Sequence, residues 1–482
     1  MTDNFVHHHV HSYFSELDGL RSPEKIAETV AKMGQPGISI TDHGSMSGIP
    51  SMFRAAQKYG LIFTPGIESY WAPDRTKHAK DIHGKSYYHL TLLAHTWEGY
   101  QSLVKQQSSA WEEGFYHKPR IDNTLLEKYH TDMTILTGCL GSASSQAMLR
   151  ALQRGDSEDD IVRAGCDVVG NYIDIVGKDH VFVEVHNHNI PEEHLILPYQ
   201  VKMAHALGLP LVAAHDTHYC TAADAEIHDH LLCMQTKAKA TDQHRFRMDT
   251  NIRDPHFFLT TRQEMEQLFP DDQFPGALDN TLDIMERSHF DMPMGDKKTY
   301  LMPKVDVPDG ETEASHLRSL VMEGARDVSR YGDGQGNIPQ KVQERIDYEL
   351  SVIDNMGFNG YFLIVRTIVD IMVDNNINKG PGRGSAPGSI VSYCLGITDL
   401  DPLAYNLFFE RFLNPARVSM PDIDMDVDKA DRGRLLELIQ HHFGTNHVAH
   451  IANYTAMKDR AAITAICRTK GILPQHGHIF SD

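Results

Sequence analysis

The chain has 482 residues, 41% of them hydrophobic and 23% charged, which is typical of a globular protein with two or three domains. Its net charge of −20 argues against a protein that holds nucleic acid through its overall field, because such binding needs many Lys and Arg contacts to phosphate. We find no apolar run of the roughly 20 residues that a membrane span needs and no signal pattern, so we expect a cytoplasmic protein with no membrane partner.

The first predicted element is the histidine-rich segment HHHVH at residues 7–11. Apolar residues are interleaved with its histidines, so an affinity tag is the weaker interpretation. On an extended strand, His7, His9 and His11 would share one face and His8 the other. An H-x-H pair of this kind suits a transition-metal ion, although a solvated strand end stays open as an alternative.

From the start to about residue 285, short apolar runs alternate with amphipathic stretches at the spacing of β/α units. In the first predicted helix, Ser22 is the N-cap, Pro23 occupies the first helical position and Gly34 follows the end. The predicted strands are PGISITDHG, LIFTPGIESY, HLTLLAH, MTILTGCLG, HVFVEVHNH and LPLVAAHDTHY.

Residues of metal-ligand type stand where several of these apolar runs end. The carboxyl ends of parallel strands meet at one rim of an α/β barrel, so these side chains are expected to lie together. The six cysteines include no C-x-x-C pair, which excludes a zinc ribbon and leaves any functional cysteine to act singly. The residues at strand ends are His9, His11, His43, Glu68, Cys139, Asp216 and His218.

Two motifs stand out after a turn-rich connector. GPGRGSAPGS precedes a helical pattern, a geometry in which free backbone N–H groups can hold a phosphate. In PDIDMDVD, Asp422, Asp424 and Asp426 alternate, so on a half-buried strand they would share one face and bind cations for two-metal phosphoryl transfer. A solvated acidic edge strand is the alternative.

The stretch from GPGRGSAPGS to PDIDMD resembles the palm signature of C-family replicative DNA polymerases, the bacterial DNA polymerase III alpha subunits. The amino-terminal region resembles their polymerase-and-histidinol-phosphatase (PHP) domain, also through YHLTLLAH and GFYHKPRID. The resemblance implies an α/β fold: a PHP domain that is a distorted β/α barrel, then a partial polymerase-beta-like nucleotidyltransferase palm (α+β) and the start of a helical thumb.

In the palm, the resemblance implies that Asp422 and Asp424 bind two Mg²⁺ ions, with Asp426 nearby. The incoming dNTP would be bound by Arg383, Gly384, Ser385 and Arg411. Pro387 departs from the family, which usually has alanine or glycine there, and it would stiffen the turn or disturb it.

In the PHP domain, the resemblance implies about three divalent transition-metal ions, Zn²⁺, Mn²⁺ or Fe. An intact set implies a metal-bound hydroxide that attacks a phosphodiester, as in 3′–5′ proofreading of a single-stranded 3′ end. With His9 and His11 as ligands, His7 would line the site and His8 face away. The implied ligands are His9, His11, Asp18, His43, Glu68, His89, Cys139, Asp216 and His218.

The sequence thus predicts a PHP domain at 1–285, a connector with the first palm helices at 286–345, a partial palm at 346–453 and the start of a thumb at 454–482. The family's third palm aspartate lies further downstream. We therefore expect a truncated or split polymerase, in which a second polypeptide supplies the rest and contacts a sliding clamp, while this chain contacts primer–template DNA. Two alternatives stay open: a palm that is only a platform for DNA or a partner, and a PHP phosphatase for small phosphoesters.

Overall fold

A computed structural model describes residues 3–293, 302–414, 416 and 420–472. The chain folds as two compact units. The first consists of Met1–Pro293 with Ala456–Asp482, and the second of Met294–Thr455. Part of the predicted connector (294–301) and of the predicted thumb (473–482) lies outside the described residues.

The first unit is built on a seven-stranded mixed sheet, and all six strands predicted from the sequence are confirmed. The sheet order is β1-β2-β3-β5-β6-β7, with β4 paired to β2. The strands are β1 (Gly37–Ile40), β2 (Ile62–Trp71), β3 (Tyr88–Ala94), β4 (Arg120–Ile121), β5 (Met133–Leu136), β6 (Val181–His186) and β7 (Leu211–Ala214).

The expectation of uniformly parallel strands is wrong for β3, which pairs antiparallel with both β2 and β5. The other pairs are parallel. The amino-terminal segment connects the two edges of the sheet, because His7 bridges to Ile38 after the start of β1 and Val10 bridges to Thr217 after β7. This segment closes the curled sheet into a distorted barrel.

Helices cover the outside of the sheet, and the first of them begins and ends as predicted. The Ser22 hydroxyl accepts from the Lys25 N–H, Pro23 is at the first position, and Gly34 ends α1 with a left-handed φ of 81°. The helices are α1 (Pro23–Met33), α2 (Ile49–Tyr59), α3 (Trp97–Glu112), α4 (Asn123–Lys128), α5 (Ala143–Arg154), α6 (Glu158–Val176), α7 (Pro191–Leu207), α8 (Ala225–Thr236), α9 (Arg262–Leu268) and α10 (Asp279–Glu286).

The second unit is helical in its described residues. Its core includes the buried side chains of Leu317, Phe362, Ile390 and Phe409. Its helices are α11 (Glu313–Arg326), α12 (Gln340–Asn355), α13 (Asn359–Asp374), α14 (Ile390–Cys394) and α15 (Arg432–Phe443). The last helix, α16 (Asp459–Thr469), belongs to the first unit, where the Thr469 carbonyl accepts from the Ala240 N–H at 2.8 Å.

Among the described residues, no single helix is long and apolar enough to cross a membrane. The pair α12 and α13, bent by 113°, meets that test only when the two helices are taken together, by length and composition.

The segment between β2 and β3 is held by a buried arginine without a carboxylate partner among the described residues. The Arg120 guanidinium donates to four backbone carbonyls, those of Gly114 (3.0 Å), Ser86 (3.3 Å), Arg75 (2.7 Å) and Lys77 (3.0 Å). Because it satisfies carbonyls on both sides, Arg120 joins the 72–87 loop to the segment that follows α3.

We expect Arg120→Met to lower the free energy of unfolding by about 3 kcal/mol, because buried carbonyls lose their donors. Thermal unfolding, and limited proteolysis at residues 74–87, would measure the effect. The control is Arg150→Met, since Arg150 is half-buried beside Tyr88 and should cost less than about 1 kcal/mol. Equal losses in the two variants would contradict the assigned role.

Candidate functional site

All nine predicted PHP residues lie in one cluster at one end of the barrel. The antiparallel direction of β3 explains how His89 reaches it, because the start of this strand meets the ends of its neighbours. His43 follows β1, Glu68 lies within β2, and Cys139 follows β5. The remaining residues come from the amino-terminal segment and from the loop after β7: His9, His11, Asp18, Asp216 and His218.

Glu68 is the hub of the cluster. Its carboxylate, 1% exposed, is 2.8 Å from His89 Nδ1, 3.4 Å from His9 Nε2 and 3.8 Å from His11 Nε2. It also contacts His43 Nδ1. Cys139 Sγ is 3.4 Å from Glu68 Oε1 and 3.6 Å from His89 Nδ1.

Two aspartates complete the cluster from other sides. Asp216 Oδ1 is 3.2 Å from His11 Nε2, 3.6 Å from His9 Nε2 and 3.3 Å from His218 Nδ1. Asp18 Oδ2 is 3.1 Å from His43 Nε2, and Asp18 Oδ1 is 3.8 Å from His218 Nε2. Imidazole, carboxylate and thiol groups therefore converge within a few ångströms.

Hydrogen bonds fix the tautomers of three histidines. His9 Nδ1–H donates to the Glu184 carboxylate at 2.8 Å, and His218 Nδ1–H donates to the Asp216 carbonyl at 3.2 Å. His11 Nδ1–H donates to Ser15 Oγ, whose own hydrogen is used toward Asp42. In each ring Nδ1 is held by a neighbouring group and Nε2 faces the cluster, which is the arrangement that metal-binding histidines adopt.

Several buried atoms of the cluster lack a hydrogen bond, although buried polar groups are nearly always paired. Four sets of three ligand atoms could each hold a cation, because the atoms of a set lie within 4.8 Å of one another. The residues present therefore fit divalent metal ions. The atoms without a hydrogen bond are His9 Nε2, His11 Nε2, Asp18 Oδ1, His43 Nδ1, Glu68 Oε2, Asp216 Oδ1 and His218 Nε2.

The protonation of the cluster reflects its density of charge. Burial alone would raise the pKa of Glu68, but His89, His43 and His9 lower it well below its ordinary value. Burial lowers the pKa of His43, yet Glu68 and Asp18 together raise it to about 10. Burial, with Glu68, raises the pKa of the Cys139 thiol. Protons on imidazoles therefore balance the carboxylates here, and cations that bind would displace them.

Sequence reasoning missed a supporting layer on β6. Glu184 and His186 in β6, and His188 two residues after its end, alternate in the segment HVFVEVHNH, so a period of two places Glu184 and His186 on the face that looks toward the cluster. His186 Nε2 is 3.2 Å from Glu184, and His188 Nε2 accepts from the Asp216 N–H at 2.9 Å. The strand was predicted, but this alternation was not used.

The prediction for His8 is confirmed, and that for His7 is wrong. His8 faces away from the cluster, where Nε2–H donates to the Thr281 carbonyl at 2.7 Å. His7 Nε2 bonds to the Thr260 backbone at 2.9 Å, so it does not line the site. The segment bends at His9 and makes only isolated bridges, so the strict alternation of a strand fails there.

In the second unit the three aspartates are exposed and share one side, while Ile423 and Met425 between them pack against the core. The regular strand predicted for them is wrong: the segment is extended but makes only a bridge from Val427 to Lys379. Asp422, Asp424 and Asp426 thus keep the alternation without a neighbouring strand among the described residues.

The glycine turn lies beside these acids. Gly384 has a φ of 63°, and a Cβ built there would be 3.4 Å from Asp424 Oδ2. Arg383, predicted to contact nucleotide, is 3.2 Å from Asp426 Oδ1, and both side chains are largely exposed. The adjacent Ser385 precedes a short 3₁₀ turn that accommodates the buried Pro387.

The expectation that the helix after the turn offers free N–H groups to phosphate is wrong. The buried Glu349 carboxylate accepts from the Ile390 and Val391 N–H groups at 3.1 Å and from the Ser389 hydroxyl at 2.8 Å. The amino terminus of α14 is therefore already occupied. Arg411 is exposed in the turn Phe409–Arg411, and within the described parts of the chain it forms no ion pair.

The curled sheet and its ligand cluster define the first unit as a PHP domain, and a family model described as "PHP domain" matches residues 7–188. A second model, "Bacterial DNA polymerase III alpha NTPase domain", matches residues 315–481. The chain belongs to the family of bacterial DNA polymerase III alpha subunits and corresponds to their amino-terminal part.

Three relatives named "DNA polymerase III subunit alpha" illustrate the match. That of Thermus aquaticus is 34% identical over 97% of this chain and 42% of its own length. That of Borreliella burgdorferi is 37% identical over 97% and 39%, and that of Mycobacterium tuberculosis is 37% identical over 95% and 38%. The chain therefore spans less than half the length of these relatives.

A solved structure of a "putative metal-dependent phosphoesterase" from Bifidobacterium adolescentis is also similar, at 15% identity. It covers 45% of this chain and 88% of its own, with a TM-score of 0.28, which is too low to support an argument.

We expect Glu184→Gln to weaken metal binding about 10–100-fold, because His9 loses the carboxylate that orients its ring. Competition with a chromogenic chelator would measure the affinity. The matched control is Glu192→Gln, an exposed glutamate in the first turn of α7. Wild-type affinity in Glu184→Gln would show that the contact from Glu184 to His9 does not support the site.

Proposed function

We propose that the PHP unit is a metal-dependent phosphodiesterase that removes nucleotides from the 3′ end of single-stranded DNA. The observation that carries this proposal is the convergence of bare Nε2 atoms and carboxylates, buried and without hydrogen bonds, at one end of the barrel. When bound, divalent ions supply Lewis-acid stabilisation of a phosphoester and an activated nucleophile at neutral pH. About three ions, Zn²⁺, Mn²⁺ or Fe, are part of the proposal, and the nine residues of the cluster would hold them.

The exposed fractions of the ligand side chains indicate the side from which substrate reaches the cluster. The side chains of His89, His43, Asp18 and Asp216 are 23%, 14%, 13% and 14% exposed, whereas His9, His11 and His218 are fully buried. A phosphodiester would approach the partly exposed residues. The buried residues would fix the positions of the cations, because their second ring nitrogens are held by Glu184, Ser15 and the Asp216 carbonyl.

We expect Asp18→Asn and His43→Ala each to reduce nuclease activity more than about 100-fold, because each removes a proposed ligand. This loss is larger than that expected when a residue that only orients a ligand is removed. Metal-replete protein without a histidine tag would be assayed with 5′-labelled single-stranded DNA, and its metals quantified by elemental analysis. The fold should be retained, since neither change opens a large apolar cavity.

The same assay separates the alternatives. Hydrolysis of p-nitrophenyl phosphate without degradation of DNA would favour a small-molecule phosphatase. Less than one ion per wild-type chain, or full nuclease activity in both variants, would contradict the proposal.

For the second unit, we propose that Asp422 and Asp424 bind Mg²⁺ and that the turn at Arg383, Gly384 and Ser385 meets the phosphates of a dNTP. The exposed, alternating acids and the closeness of Gly384 to Asp424 support this. Because Glu349 occupies the helix terminus, the phosphates would be bound by the turn itself. We further propose that Arg411 contacts the dNTP, that the unit binds primer–template DNA for template-directed synthesis, and that the protein is cytoplasmic. The second polypeptide and the sliding clamp stay predictions.

Asp424→Asn should weaken Mg²⁺-dependent binding of a fluorescent dNTP at least about tenfold, because one carboxylate charge is lost from the proposed cation site. Fluorescence anisotropy with and without Mg²⁺ would measure it. Asp428→Asn is the matched control, since Asp428 is also exposed but bonds to the Ala430 N–H at 2.8 Å. Unchanged binding in Asp424→Asn would favour a second unit that serves only as a platform.

A further inference from the structure

Two tyrosines border the partly exposed side of the metal-ligand cluster. The Tyr87 ring lies nearly parallel to that of His89, with centroids 6.0 Å apart and planes at 8°. Tyr70 stacks on His43 at 6.2 Å and meets Tyr87 edge-on at 4.7 Å. Tyr70 is only 5% exposed, so the partly exposed Tyr87 supplies the accessible aromatic surface beside these histidines, with Tyr70 behind it.

A lysine lies over one ring of this aromatic pair, that of Tyr70. Lys118 Nζ is 5.1 Å from the centroid of Tyr70, and the part of the chain that the structure describes gives it no ion pair. A tight turn holds it, with Tyr116 bridged to Lys118 and a left-handed φ of 64° at His117. A positive charge is therefore fixed next to a site that is proposed to receive a phosphodiester.

An exposed aromatic pair precedes this lysine. Trp111 and Phe115 are 56% and 45% exposed, and their rings stack at 5.2 Å with planes at 16°. Trp111 is in the last turn of α3, and Phe115 lies three residues beyond the end of that helix, in the segment that leads to Lys118. Large exposed aromatic rings offer stacking surfaces for unpaired bases, whatever their sequence.

The adjacent 72–87 loop adds local positive charge to an acidic chain. Lys80 and Lys85 are exposed and, within the described ranges, have no carboxylate partner. Lys77 is 3.3 Å from Asp74, and Arg75 is paired with Glu113 and Asp122. Because the net charge of −20 repels nucleic acid, DNA needs such a local cationic path to reach the cluster.

We propose that an aromatic-basic rim, made of Tyr70, Tyr87, Trp111, Phe115 and Lys118, binds single-stranded DNA and delivers its 3′ end to the metal-ligand cluster. Lys118 would contact the phosphodiester nearest the cluster, and the exposed rings would stack on bases upstream. Paired bases are stacked on one another, so the rim selects single strands over duplex. The proposal rests on the phosphodiesterase function proposed above.

The test measures binding separately from hydrolysis. A fluorescein-labelled single-stranded 12-mer is titrated with the metal-replete full chain carrying Asp18→Asn, and anisotropy gives Kd at several salt concentrations. Lys118→Met removes the charge but keeps an unbranched apolar stem over Tyr70. The matched control is Lys128→Met, because Lys128 Nζ also lies over a tyrosine, 5.0 Å from the Tyr129 centroid, on α4.

We expect Lys118→Met to raise Kd about tenfold and to reduce the salt slope by about 1, as the loss of one phosphate contact does. Lys118→Arg should bind within about twofold of the parent, and Trp111→Ala should raise Kd about fivefold with an unchanged salt slope. Duplex of the same sequence should bind more weakly than the single strand.

If Lys118→Met and Trp111→Ala bound the single strand with the same Kd as Lys128→Met, the proposed rim would be wrong. A preference for duplex over single-stranded DNA would also contradict it. Metal content and circular dichroism, equal in all variants, would exclude misfolding as the cause of a loss. Failure of the underlying function gives a different result: the metal-replete wild-type chain would release no nucleotides from the same 12-mer, while the binding data stood unchanged.

Discussion

The first unit depends on one constraint, the burial of the Glu68 carboxylate among four histidines. A carboxylate taken out of water is costly unless positive charge lies beside it. Here the compensation comes from imidazoles that can be protonated, or from cations that replace the protons. Four separate parts of the chain therefore converge on Glu68, three of them with histidines and the fourth with Cys139.

Strand direction and second-layer contacts make that convergence possible. Because β3 runs antiparallel to β2 and β5, His89 near its start lies beside Glu68 in the second half of β2 and Cys139 after the end of β5. Behind the cluster, Asp42 accepts from the Ser12 N–H and from the Ser12 and Ser15 hydroxyls, and Ser15 in turn accepts from the His43 N–H. The orientation of the ligand rings is thus set by groups that would touch no metal.

The sequence predicted the elements and the ligand set better than it predicted their surroundings. Apolar runs, caps and strand-end residues are local signals, so the six strands, α1 and most of the cluster could be found from them, whereas Asp18 and His89 came only from the family resemblance. Glu349 could not, because it lies about forty residues before the α14 terminus that it occupies. His7 was misplaced because the bend at His9 is a tertiary effect. The direction of β3 was predicted wrongly because the residues of a strand do not encode its direction in the sheet.

The closure of the barrel by the amino-terminal segment bears on the order of folding. His9 and the Glu184 that orients it are 175 residues apart in the chain, and His11 pairs its backbone with Thr217. Contacts of such high sequence separation form only after a large entropic cost of loop closure has been met, which makes them slow. We therefore expect the ligand cluster to assemble late, once β7 has joined the sheet, with its acidic and imidazole groups solvated and apart until then.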